Sequence, residues 1–279
     1  MVTLHTEEDL LKLNNQRLRL LQEIVVTHGY HYGYYAYLLN QEQCYWMSCG
    51  MSKLLRIINE IPTVRRIRGL ECDYEVISDV EPVLFVSVLN RLEELTLCNH
   101  DQISLTPQQF ELLFTAIAEK TNLEFLELGG QEQMSKMDPE LFAAALSNVV
   151  KVRLEESYVG EITIQQLMAL FKAIIAEDRP LKKLELTADP KPSIDADIMG
   201  SALNKLEEVT IIYFCDDSRE QVSAIIRKMV DGESRLKRLM LADIDPDIIE
   251  GLNQDLVRRV RKKVGEFYSF NFSRVFFAH

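Results

Sequence analysis

The stretch Leu181-Lys182-Lys183-Leu184-Glu185-Leu186 decides the fold, because its apolar residues stand at the first, fourth and sixth positions. The same apolar spacing recurs along the chain, after an earlier and weaker copy at Val64–Ile67–Gly69. The six clear copies are Leu92–Leu95–Leu97, Leu123–Leu126–Leu128, Val149–Val152–Leu154, Leu181–Leu184–Leu186, Leu206–Val209–Ile211 and Leu236–Leu239–Leu241. Self-similarity of this kind predicts a repeat architecture.

The copies alternate between long and short spacing. From Leu92 onward the steps are 31, 26, 32, 25 and 30 residues, and the first two steps and the next two each total 57. Each longer unit contains apolar residues at i, i+3, i+4 and i+7, the pattern of one buried helical face. These sets are Phe110/Leu113/Phe114/Ile117, Leu167/Leu170/Phe171/Ile174 and Val222/Ile225/Ile226/Met229. The shorter units have room for about two helical turns, as at Phe142/Ala145/Leu146.

Residues typical of helix starts precede these segments. Capping-box sequences, in which Thr or Ser is followed three residues later by Gln, are Thr106 to Gln109, Thr163 to Gln166 and Ser218 to Gln221. Asp138–Pro139 and Asp245–Pro246 have the pattern of an N-cap followed by proline. Asp195 and Asp197 also fit N-caps and solvated loops. Each unit is therefore predicted to be a short strand, a loop and a helix.

Such strand–helix units resemble the leucine-rich repeat superfamily, most closely its ribonuclease-inhibitor-like subclass, over about residues 61–250. The resemblance implies an α/β solenoid with inner parallel strands and outer helices, capped at both ends. One departure leaves the subclass open. The Asn or Cys expected three residues past the last apolar position is absent from all six copies. The alternative is a generic α/β fold with a parallel sheet.

Residues 1–60 and 251–279 lie outside the repeats. We expect a helical and aromatic N-terminal cap in residues 1–60, with a helix from about Thr6 to Val26 and a further helix around Leu54–Ile58. Residues 251–279 are expected to form a C-terminal helix and aromatic cap, with the helix opening at Asp245–Pro246 and a strand over Phe267–Phe272. The segment Leu38–Leu55 weakly resembles the end of an F-box, although the leading Leu-Pro is absent.

Composition limits the functional classes. The chain has 279 residues and a net charge of −12, with residues 71–160 holding 17 acidic and 5 basic side chains. An acidic surface argues against nucleic-acid binding. Uninterrupted apolar stretches of 18 residues are absent, which argues against a membrane span. Five cysteines and no recognisable leader predict a reduced protein of the cytoplasm, with the nucleus as the alternative location.

The residues that alternate with the buried leucines are expected to line the concave face of the solenoid. Their mixed signs suit a protein partner better than a phosphate backbone. We therefore predict that a partner binds this face together with the tyrosine-rich segment Tyr30–Tyr37. The alternative is that these tyrosines only cover the N-terminal end of the solenoid. The predicted binding residues are Glu94, Phe125, Glu127, Lys151, Arg153, Lys183, Glu185, Arg238, Met240, Tyr30, Tyr32, Tyr34, Tyr35 and Tyr37.

Known nucleotide-binding, metalloprotease and nucleophile-elbow motifs are absent from the sequence, and no Cys/His set has zinc spacing. The prediction is a non-catalytic interaction scaffold or adaptor without cofactor or metal. Two alternatives stay open. One is an F-box-like ubiquitin-ligase adaptor that docks a ligase subunit through residues 1–60. The other is a regulator of small GTPases, which the resemblance to ribonuclease-inhibitor-like repeats allows.

Overall fold

The computed structural model describes eighteen segments of the chain, and all structural statements below concern them. They are residues 2–4, 23–26, 52, 55–56, 59, 66–73, 80–89, 91–98, 105–119, 123–129, 132–155, 162–176, 179–187, 194–214, 219–231, 234–244, 254–264 and 266–270, within which some side chains are also left aside. The chain forms two compact units, Met1–Leu128 and Gly129–His279. Each unit is described by itself.

The first unit contains strands that pair in parallel in the order of the chain. Each strand lies beside the strand that precedes it in the chain, as a repeat solenoid requires. The elements are β1 (Val2–Leu4), β2 (Glu23–Val26), β3 (Arg66–Asp73), α1 (Pro82–Leu89), β4 (Glu94–Cys98), α2 (Pro107–Glu119) and β5 (Phe125–Gly129), whose last residue opens the second unit.

The second unit repeats the same plan, and β6 to β10 again pair in parallel and in chain order. A short 3₁₀ helix over Glu132–Lys136 precedes its first α-helix. The elements are α3 (Pro139–Ser147), β6 (Lys151–Glu155), α4 (Ile164–Ala176), β7 (Lys183–Thr187), α5 (Ala196–Leu203), β8 (Glu208–Phe214), α6 (Arg219–Asp231), β9 (Arg238–Ile244), α7 (Gln254–Lys263) and β10 (Glu266–Phe270).

The apolar repeat positions form the buried side of the strands. Leu95 is in register with Leu126 in the first unit, and Val152, Leu184, Val209 and Leu239 follow one another in the second. All six side chains are buried. The helices cover this side, since Leu203 of α5 and Met229 of α6 line the same small apolar cavity as Ile211, Leu239 and Leu241. The predicted α/β repeat solenoid is confirmed.

The predicted helix caps are also present where the structure describes them. In both capping boxes the Gln carboxamide oxygen accepts from the Thr backbone N–H, at 2.8 Å for Thr106–Gln109 and 2.9 Å for Thr163–Gln166. Asp138 accepts from the first turn of α3, and Asp195 does the same for α5. The starts predicted at Ser218 and Asp245 lie outside the described residues.

A shared backbone arrangement joins each of several strands to the preceding repeat. The N–H groups of Lys182 and Lys183 both donate to the Val150 carbonyl oxygen, at 2.9 and 3.1 Å. The same two-to-one arrangement binds Glu207 and Glu208 to Lys182, Lys237 and Arg238 to Glu207, and Glu124 and Phe125 to Glu93. These carbonyls fix the register just before each strand begins.

The helix predicted near the N-terminus is wrong at its C-terminal end. The helix predicted to reach about Val26 does not do so, because Glu23–Val26 is strand β2 and pairs in parallel with β1 and β3. Residues 1–60 thus contribute strands to the sheet as well as helical residues such as Leu55 and Arg56.

The weaker repeat copy predicted at Val64–Ile67–Gly69 is wrong by three residues, because the equivalent positions lie three residues later in the chain. Leu70 of β3, not Ile67, is in register with Leu95 of β4. The β2–β3 pairing shifts register between Ile24 and Val25, so Ile24 faces Ile67 and Val25 faces Gly69. The residues that alternate with Ile67 and Gly69, namely Arg66, Arg68 and Leu70, are therefore not the continuation of the row that starts at Glu94.

At the C-terminus, the predicted strand is confirmed as β10, which pairs in parallel with β9. Helix α7 spans Gln254–Lys263, and the start predicted at Asp245–Pro246 lies outside the described residues. Phe276 and Phe277 lie outside the described residues, and the domain boundaries at residues 60 and 250 stay predictions.

Candidate functional site

The candidate site is the side of strands β6–β9 opposite the buried leucines, here called the outward face. It consists of the strand residues that alternate with the buried ladder, and most are half-buried. Its members in the second unit are Lys151, Arg153, Lys183, Glu185, Thr187, Glu208, Thr210, Ile212, Arg238 and Met240. Six of these ten residues are among the predicted binding residues, namely Lys151, Arg153, Lys183, Glu185, Arg238 and Met240.

Arg153 and Glu185 form a cross-strand ion pair on the outward face. They are directly opposite each other in the β6–β7 register, with Arg153 Nη2 and Glu185 Oε1 3.0 Å apart. Their side chains are 34% and 20% exposed, so water only partly screens the pair. Two residues predicted as separate contacts for a partner thus hold each other in place.

Glu208 links two further basic residues of the face, Lys183 and Arg238. Lys183 Nζ lies 2.7 Å from Glu208 Oε1, and Arg238 Nη1 lies 3.6 Å from Glu208 Oε2. The three residues are neighbours in register on β7, β8 and β9. Glu208 was not among the predicted binding residues, although its strand position is equivalent to that of Lys183.

A second charged row lies one residue earlier, just before the strands begin. Glu207 is placed between Lys182 and Lys237, with carboxylate-to-ammonium distances of 3.8 and 2.6 Å. The hydrogen bond from Lys237 holds the pKa of the Glu207 carboxyl below its ordinary value, with Lys182 and Lys183 contributing attraction. Strand alternation did not reveal this row, because these residues precede the strands. The recurrence of a charged residue directly before β7, β8 and β9 could have revealed it.

The face becomes less charged toward β9. Thr210 is in register with Met240, and Ile212 with Ala242. Met240 is half-buried, and its register neighbour on the other side is Tyr268 of β10. Met240 therefore lies where the charged rows give way to less polar positions, as expected of an apolar anchor beside charged contacts.

The predicted binding residues of the first unit occupy two register rows. Glu94 is opposite Phe125, and Thr96 is opposite Glu127. Glu94 is exposed, whereas Phe125 and Glu127 are half-buried. Tyr30, Tyr32, Tyr34, Tyr35 and Tyr37 lie outside the described residues, so their proposed contact surface stays a prediction.

The described residues contain no cluster of three or more His, Cys, Asp or Glu side chains that could hold a metal ion. The small cavity between α5, α6, β8 and β9 is lined by apolar side chains alone. The carboxylates of Glu185, Glu207 and Glu208 are engaged by basic partners. The chemistry this face offers is therefore charge pairing and contact area.

A search of the described helices finds none with the length and apolarity needed to span a bilayer.

Comparison with known proteins identifies the fold. No family model matches the chain, and no curated protein matches it. Among the solved structures, the leucine-rich repeat-containing protein LegL7 from Legionella pneumophila matches with a TM-score of 0.53 at 14% identity, covering 97% of this chain and 83% of LegL7. The chain has a leucine-rich repeat fold. The ribonuclease-inhibitor-like subclass stays a prediction.

Proposed function

We propose that this chain is a non-catalytic scaffold or adaptor that binds a protein partner through the outward face of β6–β9. The observation that carries the proposal is the charged array formed by Arg153–Glu185 and Lys183–Glu208–Arg238. Neighbouring strands are about 4.8 Å apart, so the array offers charged groups at a fixed spacing. A leucine-rich repeat fold is suited to presenting such a surface.

The array favours a protein partner by its chemistry. Side chains already held by an ion pair lose little further freedom on binding, which lowers the entropic cost of association. Both signs are present on the face, so a partner must supply a complementary pattern instead of one uniform charge. Such patterns determine orientation and association rate more than affinity. Met240 would add apolar contact next to the charged rows.

The deciding experiment exchanges the charges of one pair. The double variant Arg153→Glu with Glu185→Arg keeps an ion pair between β6 and β7 but reverses the pattern a partner meets. Proteins captured on the wild-type chain from an extract of its natural source would be identified by mass spectrometry. Binding of the identified partner to the two forms would then be compared by titration. We expect a loss of affinity of about tenfold, since two reversed contacts at about 0.7 kcal/mol each give that factor.

A matched control exchanges an ion pair on the helix side, namely Asp197→Lys with Lys228→Glu, whose charged groups are 3.5 Å apart. This control should bind the partner as the wild type does. If the outward-face exchange leaves affinity unchanged at low salt while the control weakens it, the partner binds the helix side and the proposal is wrong.

The ubiquitin-ligase and GTPase alternatives stay predictions. Deleting residues 1–60 would not test the first cleanly, because β1 and β2 belong to the parallel sheet and would be lost together with any docking residues. Substitution of Trp46 and Leu54, which lie in the F-box-like segment Leu38–Leu55, is the better test, with co-purification of a ligase subunit as the readout. Turnover of GTP by candidate GTPases in the presence of the chain tests the second.

A further inference from the structure

Helix α7 has a basic exposed side. Its sequence includes Arg258, Arg259, Arg261 and Lys262, and all four side chains are exposed. Val260 and Val264 are 1% and 2% exposed, so the apolar side of this segment is buried in the protein. Successive helical residues are rotated by about 100°, which spreads the four cations over the side away from Val260.

The neighbouring helix enlarges this surface. Arg259 Nη2 lies 2.6 Å from Asp231 Oδ1, which joins α7 to α6. Arg227 precedes Asp231 by one helical turn on α6 and is also exposed. Arg227, Arg258, Arg259, Arg261 and Lys262 together are called the C-terminal basic patch.

The patch is not explained by the stability of the helix. Arg258 is three residues from Arg261 and four from Lys262, and like charges at these spacings destabilise a helix. Charges in the last turn are favoured by the helix dipole, but Arg258 lies before that turn. Among the described residues, Arg258, Arg261 and Lys262 form no ion pair, in contrast to Arg259. Three exposed cations that form no ion pair with described residues are available to a ligand of opposite charge.

We propose that the C-terminal basic patch binds a short acidic segment of a partner protein. Charge complementarity supports this occupant, because arginine forks pair well with carboxylates. Size supports it too. The ten residues of α7 extend about 15 Å, which matches four or five residues of an extended peptide.

Other polyanions fit less well. Binding along a nucleic acid needs a continuous track of phosphate contacts, whereas the whole chain has a net charge of −12. Helices that lie in a membrane interface insert apolar side chains, and Val260 and Val264 are buried in the protein instead. The patch is on helices, so it is a surface separate from the strand face proposed above.

The test uses the full chain and a fluorescein-labelled hexaglutamate peptide, with binding followed by fluorescence anisotropy at about 0.15 M ionic strength, where the Debye length is about 8 Å. The variant Arg258→Gln, Arg261→Gln, Lys262→Gln should bind the peptide about tenfold more weakly, as expected for the loss of three exposed ion pairs. The control Arg56→Gln, Lys172→Gln, Lys205→Gln removes the same charge from exposed positions elsewhere. It should bind within about twofold of the wild type, because charges beyond a Debye length are screened.

Circular dichroism melting of both variants verifies that the fold is retained. The proposal is overturned if the peptide fails to bind, or if the two variants weaken binding equally. It is also overturned if anionic phosphatidylserine vesicles or a single-stranded oligonucleotide bind the patch more tightly than the peptide does. Sedimentation that shows self-association of the wild type, lost in the patch variant, would assign the patch to a second copy of the chain and contradict the proposal as well.

Discussion

The side-chain amide of Gln166 donates to the Met134 carbonyl oxygen at 2.7 Å, across 32 positions of sequence. The same amide donates to the Met137 carbonyl oxygen at 3.1 Å. Its oxygen meanwhile accepts from the Thr163 N–H and caps α4. A fully buried side chain thus caps one helix and satisfies the backbone of the preceding 3₁₀ segment.

Replacing Gln166 with Ala should destabilise the protein by more than the loss of a cap. Cap removal costs about 1 kcal/mol, and carbonyls left without donors in a buried site cost about 1–3 kcal/mol more. The free energy of unfolding, measured by urea denaturation, tests this. Gln109→Ala is the matched control, because Gln109 caps α2 through the same pair of bonds at a more exposed position. Equal losses for the two variants would contradict the role given to the Met134 and Met137 carbonyls.

Leu184→Ala should cost about 2–5 kcal/mol, since it leaves a cavity in a packed ladder. Leu184 is 2% exposed and is in register with Val152 on one side and Val209 on the other. Leu112→Ala removes the same atoms from a residue of α2 that is 46% exposed, and it should cost much less. A melting temperature that is unchanged by Leu184→Ala would remove Leu184 from the ladder.

Gly200→Ala should be destabilising, although alanine is the better helix former by about 1 kcal/mol. A β-carbon at this position in α5 would lie 2.7 Å from Lys228 Cβ and 3.3 Å from the Ile225 carbonyl oxygen of α6. Separating the two helices to make room costs about 1–3 kcal/mol.

Adding Lys228→Gly to Gly200→Ala supplies the control, because it removes the β-carbon that the new methyl group meets. In a double-mutant cycle measured by denaturant unfolding, the combined loss should be smaller than the total of the single losses. Strict additivity would show that α5 and α6 are not in close contact at this point.

The Glu207 carboxyl should titrate below its ordinary range, because the Lys237 hydrogen bond lowers its pKa. Since the pKa in the folded state is lower than in the unfolded state, the stabilisation is present above the unfolded pKa. It is lost as the pH falls through the folded pKa. Lys237→Gln should raise the pKa of Glu207, as measured by NMR of the side-chain carboxyl carbon. Lys172→Gln, which removes an exposed lysine from α4, should leave the Glu207 titration unchanged.

The sequence predicted the repeats well because apolar spacing and helix caps are local signals. Leu184, Val209 and Leu239 could be placed in one ladder without any knowledge of distant residues. The Thr163–Gln166 capping box was likewise readable from two residues three positions apart.

The errors arose where the signal depends on pairing with another strand. Glu23–Val26 lies at the end of a leucine-rich segment that resembles a helix, and only its pairing with β3 shows that it is a strand. The weaker copy at Val64–Ile67–Gly69 is misplaced because the β2–β3 register shifts beside Ile67. The correct positions Ile67, Leu70 and Cys72 have the same apolar spacing, so spacing alone did not distinguish the two alignments. On the outward face, sequence placed Arg153 and Glu185 correctly, but their ion pair followed only once the β6–β7 register was known.

The backbone carbonyls that bind two N–H groups of the next repeat have a consequence for how such a chain can change in evolution. The carbonyls of Val150, Lys182 and Glu207 fix the position of the following strand only where that strand begins. The helix and loops between two such points can therefore gain or lose residues without moving the strands, which accounts for repeats of unequal length in one register. An insertion between Lys182 and Lys183 is different. It would exchange the two sides of β7, placing charged residues among the leucines, so selection should tolerate length variation in the connections and exclude it from the strand starts.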